Sequence, residues 1–138
     1  MELKKTTAVL MADGSTRKIS DIHIGDRILN PNGNMFVVEN VFCGTETVLV
    51  SIMTITKEEL CMSMSSFVET ERGIISARDL QVSDSIKTIN GFVKLEEMKV
   101  ISNEDPVYLL LLNVPLSRYI VNGSFIVGDM SWMMSQKR

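Results

Sequence analysis

An internal repeat constrains this chain more than any other feature of its sequence, because two copies of one supersecondary unit restrict the folds in which both can be buried. Displaced by 58 residues, Asp21-Ile22-His23-Ile24-Gly25-Asp26-Arg27-Ile28 falls on Asp79-Leu80-Gln81-Val82-Ser83-Asp84-Ser85-Ile86, and Asn32-Gly33 falls on Asn90-Gly91. The same displacement lays Ser66-Phe67-Val68 on Ser124-Phe125-Ile126, while one of 59 lays Thr47-Val48-Leu49-Val50 on Pro106-Val107-Tyr108-Leu109. Each copy reads as a strand, a short Asp-apolar turn, a hairpin and two further strands. The expected result is a pseudo-twofold domain whose units exchange strands around one core, with residues 18–52 superposable on 76–111.

The local pattern agrees with an all-β, antiparallel fold. Short β-branched runs occur at 9–11, 35–38, 48–52, 107–112, 119–121 and 125–127, and Asp13-Gly14, Asn32-Gly33, Asn90-Gly91 and Asn122-Gly123 punctuate them. Asx-Gly pairs supply the positive φ of tight hairpin turns. Only residues 19–22, 77–80 and 56–60 suggest single helical turns, and no segment sustains a helical period. A length of 138 residues with 45% hydrophobic and 22% charged content fits one domain that buries a real core.

Fourteen basic against seventeen acidic residues, with no basic block beyond Lys4-Lys5 and Lys137-Arg138, leave no electrostatic footprint for nucleic acid. The longest apolar run, 107–112, is too short to span a bilayer, and no secretory signal opens the chain. The expectation is a soluble protein, intracellular or part of a larger assembly, with no nucleic-acid or membrane partner. Cys43 and Cys61, with His23 as the single histidine, match neither a zinc pattern nor a disulfide framework, so no metal or cofactor is expected and both thiols read as buried. The first aspartate of each repeated turn, Asp21 or Asp79, reads as a local cap through its side chain, with Gly25 relieving the bend that follows. His23 reads as a surface residue, and most of the ten methionines read as core.

A longer set of motifs resembles a known family. Val9-Leu10-Met11-Ala12-Asp13-Gly14-Ser15, continuing through Lys18-Ile19-Ser20-Asp21-Ile22 to Ile24-Gly25-Asp26, resembles the opening of Hint domains, the fold shared by inteins, bacterial intein-like domains and hedgehog autoprocessing domains. Phe67-Val68-Glu69-Thr70-Glu71-Arg72-Gly73 with Ala77-Arg78-Asp79-Leu80 is similar to the segment after that family's Thr-x-x-His block, and Pro106-Val107-Tyr108 and Tyr119-Ile120-Val121-Asn122-Gly123 are similar to its closing strands. The resemblance runs from Thr7 to Asp129.

The resemblance implies self-directed chemistry. A first-position Cys or Ser attacks the preceding carbonyl, the Thr-x-x-His block polarises that peptide, and a penultimate His assists cyclisation of a terminal Asn. Carried onto this chain, the nucleophile position is Glu2, the block is Ser63-Met64-Ser65-Ser66, and the terminal pair is Gly128-Asp129. Ser63 can stand in for the threonine. Ser66 cannot move a proton as an imidazole does, Glu2 offers no thiol, Thr6 and Thr7 lack a base, and an ionised Asp129 is a poor electrophile.

The expected organisation is an N-terminal segment 1–6, a Hint-like domain 7–129 and a tail 130–138. The expected role is a catalytically inactive structural or protein-interaction module, the alternative being an autoprocessing domain with residual activity or a trimmed nucleophile. Trp132, Met133 and Met134 lie outside the family's pattern and form the candidate binding residues, for a protein partner or for the domain's own former active-site groove, with the partner favoured.

Overall fold

The computed structural model describes residues 1–137; Arg138, the last residue of the basic end noted above, lies outside them. The strands in order are β1 (Leu3–Lys4), β2 (Ala8–Leu10), β3 (Thr16–Lys18), β4 (Arg27–Leu29), β5 (Met35–Thr45), β6 (Val48–Thr54), β7 (Glu59–Ser63), β8 (Phe67–Thr70), β9 (Gly73–Ser76), β10 (Ser85–Thr88), β11 (Gly91–Ser102), β12 (Pro106–Leu112), β13 (Arg118–Val121) and β14 (Phe125–Gly128). Two 3-10 turns, Ile19–Asp21 and Ala77–Asp79, and one terminal helix, α1 (Met130–Gln136), complete the set. All pairings are antiparallel, and the strands join into one continuous sheet whose path ends at β3 and β4.

The two halves correspond element by element: the 3-10 turns lie 58 residues apart, as do β6 and β12. They also exchange strands as expected. β5 of the first half pairs with β12 of the second, and β11 of the second pairs with β6 of the first. The displacement of 59 for the fourth strand does not hold, because Val107 faces Gly44 as Leu49 faces Ile101, which keeps β6 and β12 at 58 and puts β5 and β11 at 57. The slip arises in the hairpins. The first carries three residues between Asn30 and Asn34, closed by Asn30 N–H donating to the Asn34 carbonyl at 2.8 Å. The second carries two between Thr88 and Gly91. The longer turn after β11, holding Asn103, Glu104 and Asp105, restores the spacing.

The repeated turn is held by its second aspartate, not its first. Asp21 and Asp79 are exposed, and neither 3-10 turn has a side-chain cap. Asp26 Oδ2 instead accepts the His23 N–H at 2.8 Å, and Asp84 Oδ2 accepts the Gln81 N–H at the same distance. Each carboxylate also holds an arginine, Arg17 on Asp26 and Arg72 on Asp84. Gly25, at φ +92°, makes the bend that a β-carbon would strain. No helical turn forms at 56–60, where Lys57 at φ 68° makes a tight reversal into β7. The thiols differ from expectation too, since Cys43 is exposed on β5 and Cys61 half-buried on β7.

The core runs through both halves and both ends. Leu3, Ile28, Leu49, Ile52, Met62, Leu110 and Tyr119 have no exposed surface, and Met1 has 1%. Met1 and Leu3 of the segment 1–6, and Trp132 and Met133 of the tail, belong to this same core. β1 lies between β7 and β12, and α1 packs on β12 and β14. Among the described residues, no helix is long and apolar enough to cross a membrane.

Asp84 is nearly fully buried and accepts three hydrogen bonds, so Asp84→Ala should lower the unfolding free energy in urea by about 2 kcal/mol, and the half-exposed Asp26→Ala by about 1 kcal/mol. The Arg72 guanidinium, aided by the Gln81 amide, holds the Asp84 carboxyl below its ordinary value of 3.8. Its contribution is complete above that value and is lost as pH falls beneath it, so the Asp84→Ala deficit should shrink in acid.

Candidate functional site

The backbone brings all five positions carried over from the family pattern to one place. β1, seated between β7 and β12, lets the Ser63 N–H donate to the Glu2 carbonyl at 3.0 Å, while the Met1 amine reaches the Gly128 carbonyl at 3.4 Å. Gly128 ends β14 and Asp129 follows it directly. Ser63 and Ser66 are buried, with their hydroxyls 2.8 Å apart, and the Ser66 carbonyl accepts the Ala77 N–H.

The electrostatics follow from burial. The Met1 amine is pushed down to about 4, first by desolvation, against the opposing pull of Glu2 and Asp129. Burial and then the nearby Glu46 raise the Glu2 carboxyl above the ordinary range. The Tyr119 hydroxyl is buried without a hydrogen-bond partner among the described residues, and burial, with the Asp129 charge second, holds it well above the usual phenol range. His23 is exposed and has no part in this cluster.

Asp129 is fully buried and works as the N-cap of α1. Its Oδ1 accepts the Trp132 N–H at 2.9 Å and the Ser131 hydroxyl at 2.7 Å, and its Oδ2 accepts the Leu112 N–H at 3.0 Å. Both carboxylate oxygens are thus committed to donors. Ser131 in turn accepts the Leu116 N–H at 2.7 Å, tying the β12–β13 loop to the helix. Asp129, expected only as a vestigial catalytic position, is the helix N-cap, a role for which aspartate is among the preferred residues.

The tail turns inward. Trp132 and Met133 are 8% and 7% exposed and belong to the chain's own core, whereas Met134 is 54% exposed on the outer face of α1. This corrects the preference for a partner at Trp132 and Met133. The helix packs on β12 and β14, beside the Gly128 carbonyl that the Met1 amine reaches. The indole lies directly over the Gly128 backbone, where a β-carbon would stand 2.1 Å from Trp132 Cε3. A surface cleft of about 480 Å³, bounded by Met11, Arg17, Arg27 and Met35, lies elsewhere and includes none of these residues.

Two predictions follow from this packing. Trp132→Ala should cost about 3 kcal/mol of stability, and Gly128→Ala about 2 kcal/mol by forcing the indole off its seat. In the double variant the cost should be close to that of Trp132→Ala alone, because the clash partner is gone; additive losses in urea titrations would contradict the stacking. Separately, Asp129→Asn keeps the size but turns one acceptor into an N–H donor facing Leu112 N–H or the helix amide. It should destabilise the fold by about 2 kcal/mol, measured by chemical denaturation.

The model of the Hom_end-associated Hint family matches residues 3–91 of the chain. No curated protein matches the sequence significantly. Among solved structures, the chain is similar to the bacterial intein-like domain from Clostridium thermocellum at 22% identity and a TM-score of 0.77, covering 93% of this chain and 98% of that one. It is also similar to a DnaB intein from Synechocystis sp. PCC 6803 at 14% identity and a TM-score of 0.78, covering 93% and 97%. A third, the MchDnaB-1 intein, gives 17% identity and a TM-score of 0.78 over 92% and 98%. At these identities the likeness is one of fold. With the exchanged strands, the paired turns and the family match in agreement, the chain belongs to the Hom_end-associated Hint family.

Proposed function

We propose that this Hint domain does not cut its own backbone and is retained as a structural module. The chemistry implied by the resemblance needs a thiol or hydroxyl at position 2, imidazoles at 66 and 128, and a carboxamide at 129, and the chain carries Glu2, Ser66, Gly128 and Asp129 there. The observation that carries the reading is α1. A helix capped by Asp129 and stacked through Trp132 on Gly128 occupies the place where the penultimate imidazole and the terminal amide would work.

The cap and the chemistry also make opposite demands on residue 129. Cyclisation needs a side-chain nitrogen free to attack its own peptide carbonyl. The cap needs acceptors on both side-chain oxygens, held by Trp132, Ser131 and Leu112. A carboxylate meets the second demand and not the first. Glu2 shows the same direction at the other end, since a carboxylate is a weak nucleophile beside the thiol or hydroxyl that the first step requires.

The test is intact mass. Protein carrying its native flanking sequence, incubated for days with thiol or hydroxylamine between acid and alkaline pH, should stay at full mass. A product cut beside Glu2 or between Asp129 and Met130 would restore the autoprocessing alternative and overturn this reading.

A further inference from the structure

The long strands of the two halves each leave one flank open. Residues 91–94 of β11 pair with β10 and the Leu95 N–H still donates to the Asp84 carbonyl, while residues 97–102 pair with β6 alone among the described strands. β5 behaves alike, with residues 35–37 on β4, Val38 bonded to Gly25 and Asp26 on the same side, and residues 40–45 on β12 alone. An open flank presents unpaired amides and carbonyls to any other strand.

The two open edges differ in charge. Residues 39–45 of β5 carry one charge, Glu39, so no self-pairing of that edge brings opposite charges together. The β11 edge reads Glu96-Glu97-Met98-Lys99-Val100-Ile101-Ser102. Antiparallel pairing reverses the order of the second strand, so a twofold axis through Met98 sets Glu97 against Lys99 of the second copy, and Lys99 against its Glu97. The alternation of side chains puts both ion pairs on one face. On the other face Met98 meets its own copy, with Val100 on the diagonal.

The side chains concerned are free to do this. Lys99 and Glu97 keep 58% and 50% of their side-chain surface exposed and touch each other loosely, at 3.5 Å. Glu96, the extra residue at the bulge, is engaged by Lys57 and stays out of the register. Met98 and Val100 are 36% and 62% exposed, more than their neighbour Ile101.

We infer that the outer half of β11 is a dimerisation edge, where two copies of this chain pair antiparallel about Met98 with reciprocal Glu97–Lys99 contacts. The inference adds a partner to the structural role proposed above but does not depend on loss of cleavage. Intact mass measured on the same samples reports on that role separately.

Sedimentation velocity over a concentration series tests it. The wild type should dimerise, more weakly at high salt. Lys99→Glu or Glu97→Lys sets like charges face to face twice and should weaken the dimer about tenfold. The double variant Glu97→Lys/Lys99→Glu restores both contacts and should dimerise like the wild type. Mixing the two single variants should produce a heterodimer tighter than either alone, because all four residues then meet opposite charges. Both positions are exposed, so unchanged thermal melts exclude misfolding as the cause. A monomer at millimolar concentration, or a dimer indifferent to the single reversals, or one not rescued by the double variant, would overturn the inference.

Discussion

The exchange of strands between the halves is the constraint on which the rest of this structure depends. Each long strand begins as the second arm of a hairpin in its own half, β5 with β4 and β11 with β10, and then leaves it. The departure is marked by an extra residue in each strand, Glu39 opposite the Leu111–Leu112 step and Glu96 opposite the Met53–Thr54 step. A bulge bends its strand and strengthens the local twist, which re-aims the remaining residues at the other half. Leu49 and Ile52 on β6, and Val107 and Leu110 on β12, have no exposed surface, and β6 and β12 each pair with a long strand of the opposite half. Buried residues of both halves form one cluster.

That exchange also decides where the ends of the domain lie. β6 and β12 are the receiving strands, and β7 and β1 fill the interval between them, with Leu3 opposite both Met62 and Tyr108. The first strand of the chain thus lies between the receiving strands, and α1 packs on β12. The meeting of Met1 with Gly128 and of Glu2 with Ser63 is made by main-chain groups and follows from the topology, whereas Asp129 reaches the Leu112 amide through its carboxylate.

Much of this was legible because it rests on short-range chemistry. Asx-Gly pairs mark turns by their need for positive φ, and Gly14, Gly33, Gly91 and Gly123 all have it. The repeat showed because each Asp-apolar turn must bury an isoleucine or leucine and satisfy a loop amide. What failed depends on longer-range balance. Aligning the fourth strands at 59 ignored that one extra residue in the Asn30–Asn34 turn is repaid later, between β11 and β12. Assigning the cap to Asp21 and Asp79 ignored that a carboxylate after the loop can fold back on the amide three residues earlier, as Asp26 and Asp84 do. The seven-residue α1 was invisible to periodicity: it is too short for an isolated helix and exists through its cap and one buried face. Cys43 looked buried by residue type, but it lies on the open flank of β5.

The terminal helix and the residues at 66, 128 and 129 are linked by packing as well as by chemistry. With α1 seated, any β-carbon at 128 collides with the indole, so only glycine fits there. An imidazole at 128 would conversely leave Trp132 and Met133 without their site and return two large apolar side chains to water. Position 66 is closed in a similar way. Ser66 has no exposed surface, its hydroxyl is bound to Ser63, and its carbonyl takes the Ala77 amide at the start of the second 3-10 turn. A histidine there would need volume that this contact does not leave, with the overpacking cost that tight cores exact. At 129 an amide would turn one of two committed acceptors into a donor. Installing the residues that the resemblance implies would therefore mean changing 2, 66, 128 and 129, with 132 repacked to make room at 128. Asp129 through its cap and Gly128 through its close approach to the indole are what hold the terminal helix in place.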